Sequence, residues 1–394
     1  MCLNKDMNRL DIFYDYSALT EKLSKRILSG RSPGVWKYFE LLPVRNKKNI
    51  VDLEAGGTPL IRSVAIAEKL GLKKLYLKDE TRNPTGSFKD RSMTVGVSKA
   101  VEFGVATTTI ASSGNAAAAL AAHSAKAGLK CYAFVLASAP DIKLGQIRLY
   151  GANVVRVKAE EEGRDPTVKM LLMAVEKYGW YPCPSFGPFN PYQVEGPKTM
   201  AYEIVEQLDW TAPDWVLVPT GSGCLLAGIW KGFKDYRSLD LCGSSPRLVA
   251  IQPEGCGPLA RAFKQNQPPF EIEPWGYPNT IAGGLSDVFP WDGDSALTAM
   301  RETGGTAETV SDTEILEAQR LLASTEGIFA EPTGVASLAG LIKLVNKGLI
   351  KKTESVVVLI TGNGLKDPNA VTSQFKQFPT ISPNLESFEA SVHI

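Results

Sequence analysis

The chain has 394 residues, with 43 Lys+Arg against 42 Asp+Glu, a formal net charge of +1 and 44% apolar residues. Nothing in so even a balance calls for nucleic acid or an anionic membrane as partner, and the length calls for two domains or one large α/β body. No unbroken apolar run approaches the ~20 residues of a membrane span, and the opening Met-Cys-Leu-Asn-Lys-Asp lacks the apolar segment of a secretory signal.

Six cysteines (Cys2, Cys131, Cys183, Cys224, Cys242, Cys256) form no Cys-x-x-Cys pair, a usage that favours reduced thiols in a cytoplasmic protein over a disulfide frame or a zinc site. The two histidines, His123 and His393, are too few for a His-based triad or a site of several imidazoles. Any chemistry must come from Lys, Ser/Thr, carboxylates or a borrowed cofactor.

In chain order, residues 1–50 read as an arm with an aromatic cluster (Phe13, Tyr14, Tyr16), a helix ending near Gly30, and an anchor at Trp36, Tyr38 and Phe39. From about residue 56, short apolar runs alternate with helical stretches. Strands are expected at 74–78, 107–111, 130–135, 153–157, 215–219, 247–252, 307–310 and 355–360. Between them, helices are expected at 116–127, 139–150, 167–177, 196–207, 225–234, 312–324 and 335–346. This alternation predicts an α/β fold of open, twisted, mostly parallel sheets with helices on both faces. Two strand, Gly-rich turn, helix motifs at 112–115 and 219–223 suggest two sheets facing one cleft. Proline clusters at 182–191 and 268–278 mark a domain crossing and a surface excursion.

The run Asn83-Pro84-Thr85-Gly86-Ser87-Phe88-Lys89-Asp90-Arg91 places a lysine at the start of a helix. There the helix dipole disfavours the ammonium and favours the free amine that a Schiff base needs. A solvated first turn capped by Ser87 is the plain alternative. Gly221-Ser222-Gly223-Cys224-Leu225 also leads from a strand into a helix, and its converging backbone N–H groups make a seat for phosphate. It matches neither the dinucleotide nor the nucleoside-triphosphate glycine pattern, and an ordinary βα loop would look similar. Ser112-Ser113-Gly114-Asn115 offers an amide for a phenolate, and donors for a carboxylate at a helix start, or simply a Ser/Asn cap. Thr361, ending the last buried strand, presents a hydroxyl where a ring could lie. A reactive lysine, a phosphate seat, an Asn and a Thr together suit one cofactor, pyridoxal phosphate.

Over roughly residues 34–372 the sequence resembles the threonine synthase family of fold type II pyridoxal-phosphate enzymes. The resemblance rests on Gly56-Gly57-Thr58-Pro59-Leu60, the run from Asn83 to Arg91, Ser112 to Asn115, Asn190-Pro191-Tyr192 with Glu195-Gly196, Gly221-Ser222-Gly223, Glu331-Pro332, and Thr361 to Pro368. It implies that Lys89 forms the internal aldimine, Asn115 contacts the ring phenolate, residues 221–225 hold the phosphate and Thr361 meets the pyridine nitrogen. Ser112, Ser113, Gly114, Ala116 and Gln193 are the expected substrate contacts. It also implies a small mobile domain at 85–188 between a first segment (1–84) and a phosphate-binding domain (189–394), with the cofactor in the cleft, and a cytoplasmic homodimer without metal.

The departures from the family fall on the substrate side. Gln193 stands where the Asn-Pro-x-Arg motif carries arginine, Gly187 and Pro188 replace Asn and Ser, Ala116 replaces Thr, and Ala55 interrupts the first glycine run. Losing a bidentate arginine weakens an anion contact by about tenfold to a hundredfold, unless Lys143 or Lys198 takes over. The expected function is elimination and replacement on an amino acid, with phosphohomoserine or an altered substrate. The alternatives are a dehydratase or β-replacement enzyme on an unphosphorylated amino acid, and a non-catalytic binding protein.

Overall fold

A computed structural model describes residues 10–159, 165–372, 374–375 and 378–391, so Cys2 and His393 lie outside it. Its strands, numbered in chain order, are β1 (Leu60–Arg62), β2 (Lys74–Asp79), β3 (Thr107–Ala111), β4 (Lys130–Leu136), β5 (Asn153–Val157), β6 (Tyr181–Pro182), β7 (Trp215–Pro219), β8 (Arg247–Pro253), β9 (Thr306–Val310) and β10 (Ser355–Ile360). They form a six-stranded sheet, β1-β2-β10-β7-β8-β9, and a four-stranded sheet, β5-β4-β3-β6. All pairings are parallel except β1 with β2.

Unbroken β-branched runs form the centre of the large sheet because both faces are covered. In β10, Val357 and Leu359 join the core on one face, while Val356, Val358 and Ile360 join the core on the other. The helices Cys224–Ser238 and Gly293–Glu302 lie on the first side and Asp312–Glu326 and Pro332–Asn346 on the second. The four-stranded sheet packs on the helices Lys89–Glu102 and Asn115–Lys126. The two shortest strands escape the sequence pattern: β1 has three residues, and β6 has two and ends on a proline. The helices Pro258–Lys264 and Gly293–Glu302 come in addition to those the pattern marks. They flank the stretch 268–278, which runs along the surface with only Ile272 buried.

The N-terminal arm is lashed to the body. Tyr14 donates to Glu195 at 2.7 Å and Tyr16 to Asp235 at 2.6 Å, while Tyr38 packs on Tyr202 with ring centroids 4.9 Å apart.

Two residues after Lys89, the wholly buried Arg91 guanidinium bonds Glu80 at 2.7 Å and Glu203 at 2.7 Å. Lys78 bonds the other side of Glu203 at 2.7 Å. The two cations hold the Glu203 carboxyl far below its usual range, against the upward push of burial. Arg91→Ala leaves the buried Glu80 carboxylate without its cation and Glu203 with Lys78 alone, and should cost about 3–5 kcal/mol. Urea unfolding of the variant checks this, and a midpoint unchanged from the wild type would contradict it.

Candidate active site

The C-terminal ends of β2, β3, β7 and β10 open onto one cavity of about 470 Å³, the position where parallel sheets hold their ligands. β2 delivers the turn at 83–88. Gly86, at φ +85, closes it through an N–H bond to the Asn83 carbonyl at 2.8 Å. Asp90 reaches back to accept from the Thr85 N–H at 2.8 Å and from its hydroxyl at 2.9 Å. The turn is stitched to the end of β10, where Phe88 N–H donates to Thr361 O at 3.0 Å and Asn363 N–H to Gly86 O at 2.8 Å. The helix Lys89–Glu102 therefore starts with Lys89 itself at the cavity wall. Phe88, and not Ser87, holds the cap position, and the Ser87 hydroxyl accepts the Lys89 N–H at 3.4 Å.

β7 ends in Thr220, and the chain then turns through Gly221-Ser222-Gly223 into the helix Cys224–Ser238. Gly223 has φ +99, and a Cβ there would lie 2.8 Å from the Asp292 carbonyl oxygen. Only glycine fits, and the head of the helix, Cys224 and Leu225, lines the cavity. This is a built seat for an anion, and pyridoxal phosphate fits it. From β3, the segment 112–114 leads into the helix Asn115–Lys126, and the Ser112 hydroxyl accepts the Gly114 N–H at 3.2 Å. Lys89, Ser112, Ser113, Gly114, Asn115, Ala116, Gly221, Ser222, Gly223, Cys224, Leu225 and Thr361 all line the one cavity.

Gln193 does not. It is wholly buried on the short helix Pro191–Val194, and its carboxamide turns away from solvent. With its oxygen facing these donors, it accepts from the backbone N–H groups of Ser185 at 2.7 Å and Phe186 at 3.0 Å. Lys198 is likewise remote, paired with Glu195 at 2.7 Å and Asp235 at 2.9 Å. Lys143 does line the cavity, at its rim, and pairs with Asp367 at 2.8 Å.

The family of pyridoxal-phosphate dependent enzymes matches residues 51–362. The threonine synthase of Methanocaldococcus jannaschii is 44% identical over 92% of this chain and 87% of its own. The chain belongs to the threonine synthase family. The threonine synthase of Methanosarcina acetivorans is 41% identical over 97% of this chain and 92% of its own. Among solved structures, threonine deaminase isoform 2 from Solanum lycopersicum covers 87% of this chain and 94% of its own with a TM-score of 0.69. Its 21% identity speaks for the fold alone. Pyridoxal 5'-phosphate is the cofactor of the family and of this chain.

Within this threonine synthase family site, several residues carry no signal as strong as the lysine run. Asn115 donates to the Glu331 carboxylate at 2.6 Å, and Glu331 N–H donates to Gly362 O at 3.0 Å, joining the turn of the small sheet to that of the large one. Burial pushes the Glu331 carboxyl up to about 7, against the Asn115 amide. Asp287 faces the cavity beside Gly221 and is pushed up to about 6 by burial, opposed by the Lys89 charge and the Ser222 N–H. Phe186 and Ser185 line the wall next to it. Only Glu331-Pro332 stood out beforehand. Asp287 and Phe186 lie in loops whose sequence gives no hint of direction.

Gly223→Ala should weaken pyridoxal phosphate binding by at least about tenfold, since the turn must move to clear Asp292. Gly304→Ala, also at positive φ but with nothing within 4 Å, should cost stability without touching the cofactor titration. Equal cofactor affinity in the two variants would contradict the seat. A second expectation concerns pH. The Glu331 carboxyl is raised in the folded chain, so it binds a proton on folding between about pH 4.5 and 7, and its contribution to stability falls as pH rises through that window. Asp287 and Asp90, both raised to about 6, act in the same direction lower down. Glu331→Gln should therefore flatten the stability profile between about pH 6 and 7, and an unchanged slope would refute the assignment.

Proposed function

We propose that the protein is a lyase of the threonine synthase type, acting on an α-amino acid with a leaving group on Cγ. The observation that carries this is Lys89, at the head of its helix, sharing one cavity with the 221–225 turn, Asn115 and Thr361. In this reading Lys89 holds the cofactor covalently, the 221–225 N–H groups hold its phosphate, Asn115 meets its phenolic oxygen and Thr361 its ring nitrogen.

When bound, pyridoxal phosphate supplies a sink for negative charge developing at Cα. Residues 112–114, at the start of the helix Asn115–Lys126, hold the substrate carboxylate through the Ser113 N–H, the serine hydroxyls and the head of that helix. Lys89, released when the substrate amine takes its place, removes the Cα proton. A proton is then lost from Cβ and the Cγ–O bond breaks with its electron pair leaving on oxygen; one proton is delivered to Cγ, and water adds its hydroxyl at Cβ and a proton at Cα. Glu331 fixes the Asn115 amide throughout. A neutral Thr361 hydroxyl at the ring nitrogen leaves that nitrogen largely unprotonated, which favours elimination and replacement over transamination.

We carry three further expectations as proposals: residues 85–188 close over the substrate, two copies form a dimer, and the protein works in the cytoplasm. The placement of β3 to β6 in a sheet of their own supports the first. The described cysteines, all buried and none in a disulfide, support the last.

The purified protein, loaded with pyridoxal phosphate, should release threonine from at least one γ-substituted homoserine. Lys89→Ala should lower that rate by at least about a thousandfold, while still binding the cofactor non-covalently. Failure with every homoserine derivative would overturn the reading.

A further inference from the structure

Where the turns of the two sheets meet, a carboxylate stands behind the amide assigned to the cofactor ring. Asn115 donates one side-chain N–H to Glu331 at 2.6 Å and lines the cavity, so its second N–H is left for a ligand there. Gly362 makes room for this contact: a Cβ there would run into the Glu331 carboxylate and lie 3.3 Å from the Asn115 nitrogen. Glu331 is pinned in turn by its own N–H, bonded to the Gly362 carbonyl at 3.0 Å, and by its place at the head of the helix Pro332–Asn346. The pair is a built feature of the site.

A buried glutamine could hold the Asn115 amide through its carbonyl oxygen, with no charge to desolvate. What a carboxyl adds is a charge. The charged groups that act on Glu331 are Lys366 and Asp367, on the turn after β10, and Lys143, on the helix Asp141–Leu149. Lys143 and Asp367 pair with each other at 2.8 Å, while Lys366 donates to the Thr85 carbonyl at 3.0 Å and to Gln146, and feels Asp90 from the lysine turn. Lys89 and Asp287 stand elsewhere on the cavity lining. Each close cation is bonded to another group, which leaves the Glu331 charge facing Asn115.

Under the proposed function Asn115 meets the phenolic oxygen of the ring, and Thr361, a neutral hydroxyl, meets the ring nitrogen. Of these two contacts, Asn115 is the one with a titratable group bonded behind it among the described residues. A phenolic oxygen bonded to the same amide nitrogen would stand about 5 Å from the Glu331 oxygen. At that range, away from bulk water, a carboxylate favours a nearby cation by at least about one pH unit.

Resting on the proposed function, we infer that Glu331 is a positioning residue that, through the Asn115 amide, keeps the proton on the imine joining Lys89 to the cofactor. That imine forms when the Lys89 amine condenses with the cofactor aldehyde and releases water, and its protonated form is the better electrophile for the substrate amine. At low pH the imine keeps its proton unaided. As the pH rises, Glu331 ionises near 7, and its new negative charge then opposes loss of the imine proton. The range over which substrate is accepted extends upward in pH.

Loss of the imine proton moves the absorbance of the bound cofactor from the visible to the near ultraviolet, so the test is a spectral titration of the holoenzyme between about pH 5 and 10. The wild type should keep its visible band to a pH at least about one unit higher than Glu331→Gln, which has nearly the same shape. Glu331→Asp retains a charge and should lie between the two. With the relay removed by Asn115→Ala, adding Glu331→Gln should move the midpoint by less than about half as much. A merely structural defect would loosen the cofactor without moving the midpoint. Equal midpoints in the wild type and Glu331→Gln, or a visible band that titrates in neither, would overturn the inference and leave the proposed function standing. Borohydride treatment that leaves no cofactor attached to the denatured wild type would overturn the role of Lys89, and with it both the proposed function and this inference.

Discussion

The site hangs on a buried electrostatic knot. Arg91 belongs to the same helix as Lys89, Glu80 follows the end of β2, and Glu203 lies on the helix Thr199–Gln207. The guanidinium ties all three together, and Glu203 also accepts from Gly57 N–H at 2.8 Å, drawing in the loop before β1. A guanidinium can do this because its planar fork meets two carboxylates at once. The knot is satisfied on nearly every donor, so moving any one element would strand a charge in a low-dielectric interior. Lys89 is thereby held at one place and angle by residues that never touch the cavity.

This also explains how much was legible beforehand. The parallel sheets were readable because strands such as β7 and β10, buried on both faces, must be apolar throughout. Gly223 was readable because no other residue fits its backbone, and Lys89 because its turn demands a particular run of small and polar residues. Gln193 was misplaced for a different reason. A motif position fixes where the Cα lies, but Gln193 satisfies backbone donors behind the wall and so points away from the cavity. Asp287 and Phe186 reach the site from loops without periodicity, and only long-range packing against Gly221 and Trp291 decides where they face. β1 and β6 are too short to carry a pattern, and are strands only because a longer neighbour pairs with them.

Cofactor and substrate sides of the cavity are built differently. Under the proposed function the cofactor side uses glycines and helix starts, which suit a phosphate through backbone geometry. The opposite wall is held by side chains, Gln193 and Asp292, bonding a loop that carries an aromatic ring. Side chains can be exchanged without rebuilding the fold, so a change of substrate needs only a few positions on that wall while the reaction machinery stays as it is. The departures from the family pattern at 187, 188 and 193 lie in or behind that wall, and the one at 116 lies at the head of the helix Asn115–Lys126.

The rim carries one more consequence. Lys143 and Asp367 belong to opposite sides of the opening, one on the helix Asp141–Leu149 and one just after β10, and they meet at 2.8 Å while remaining partly open to water. Bulk ions reach such a pair and weaken it, whereas they do not reach Arg91. Ionic strength thus acts on this pair at the opening and far less on the buried charges beneath it.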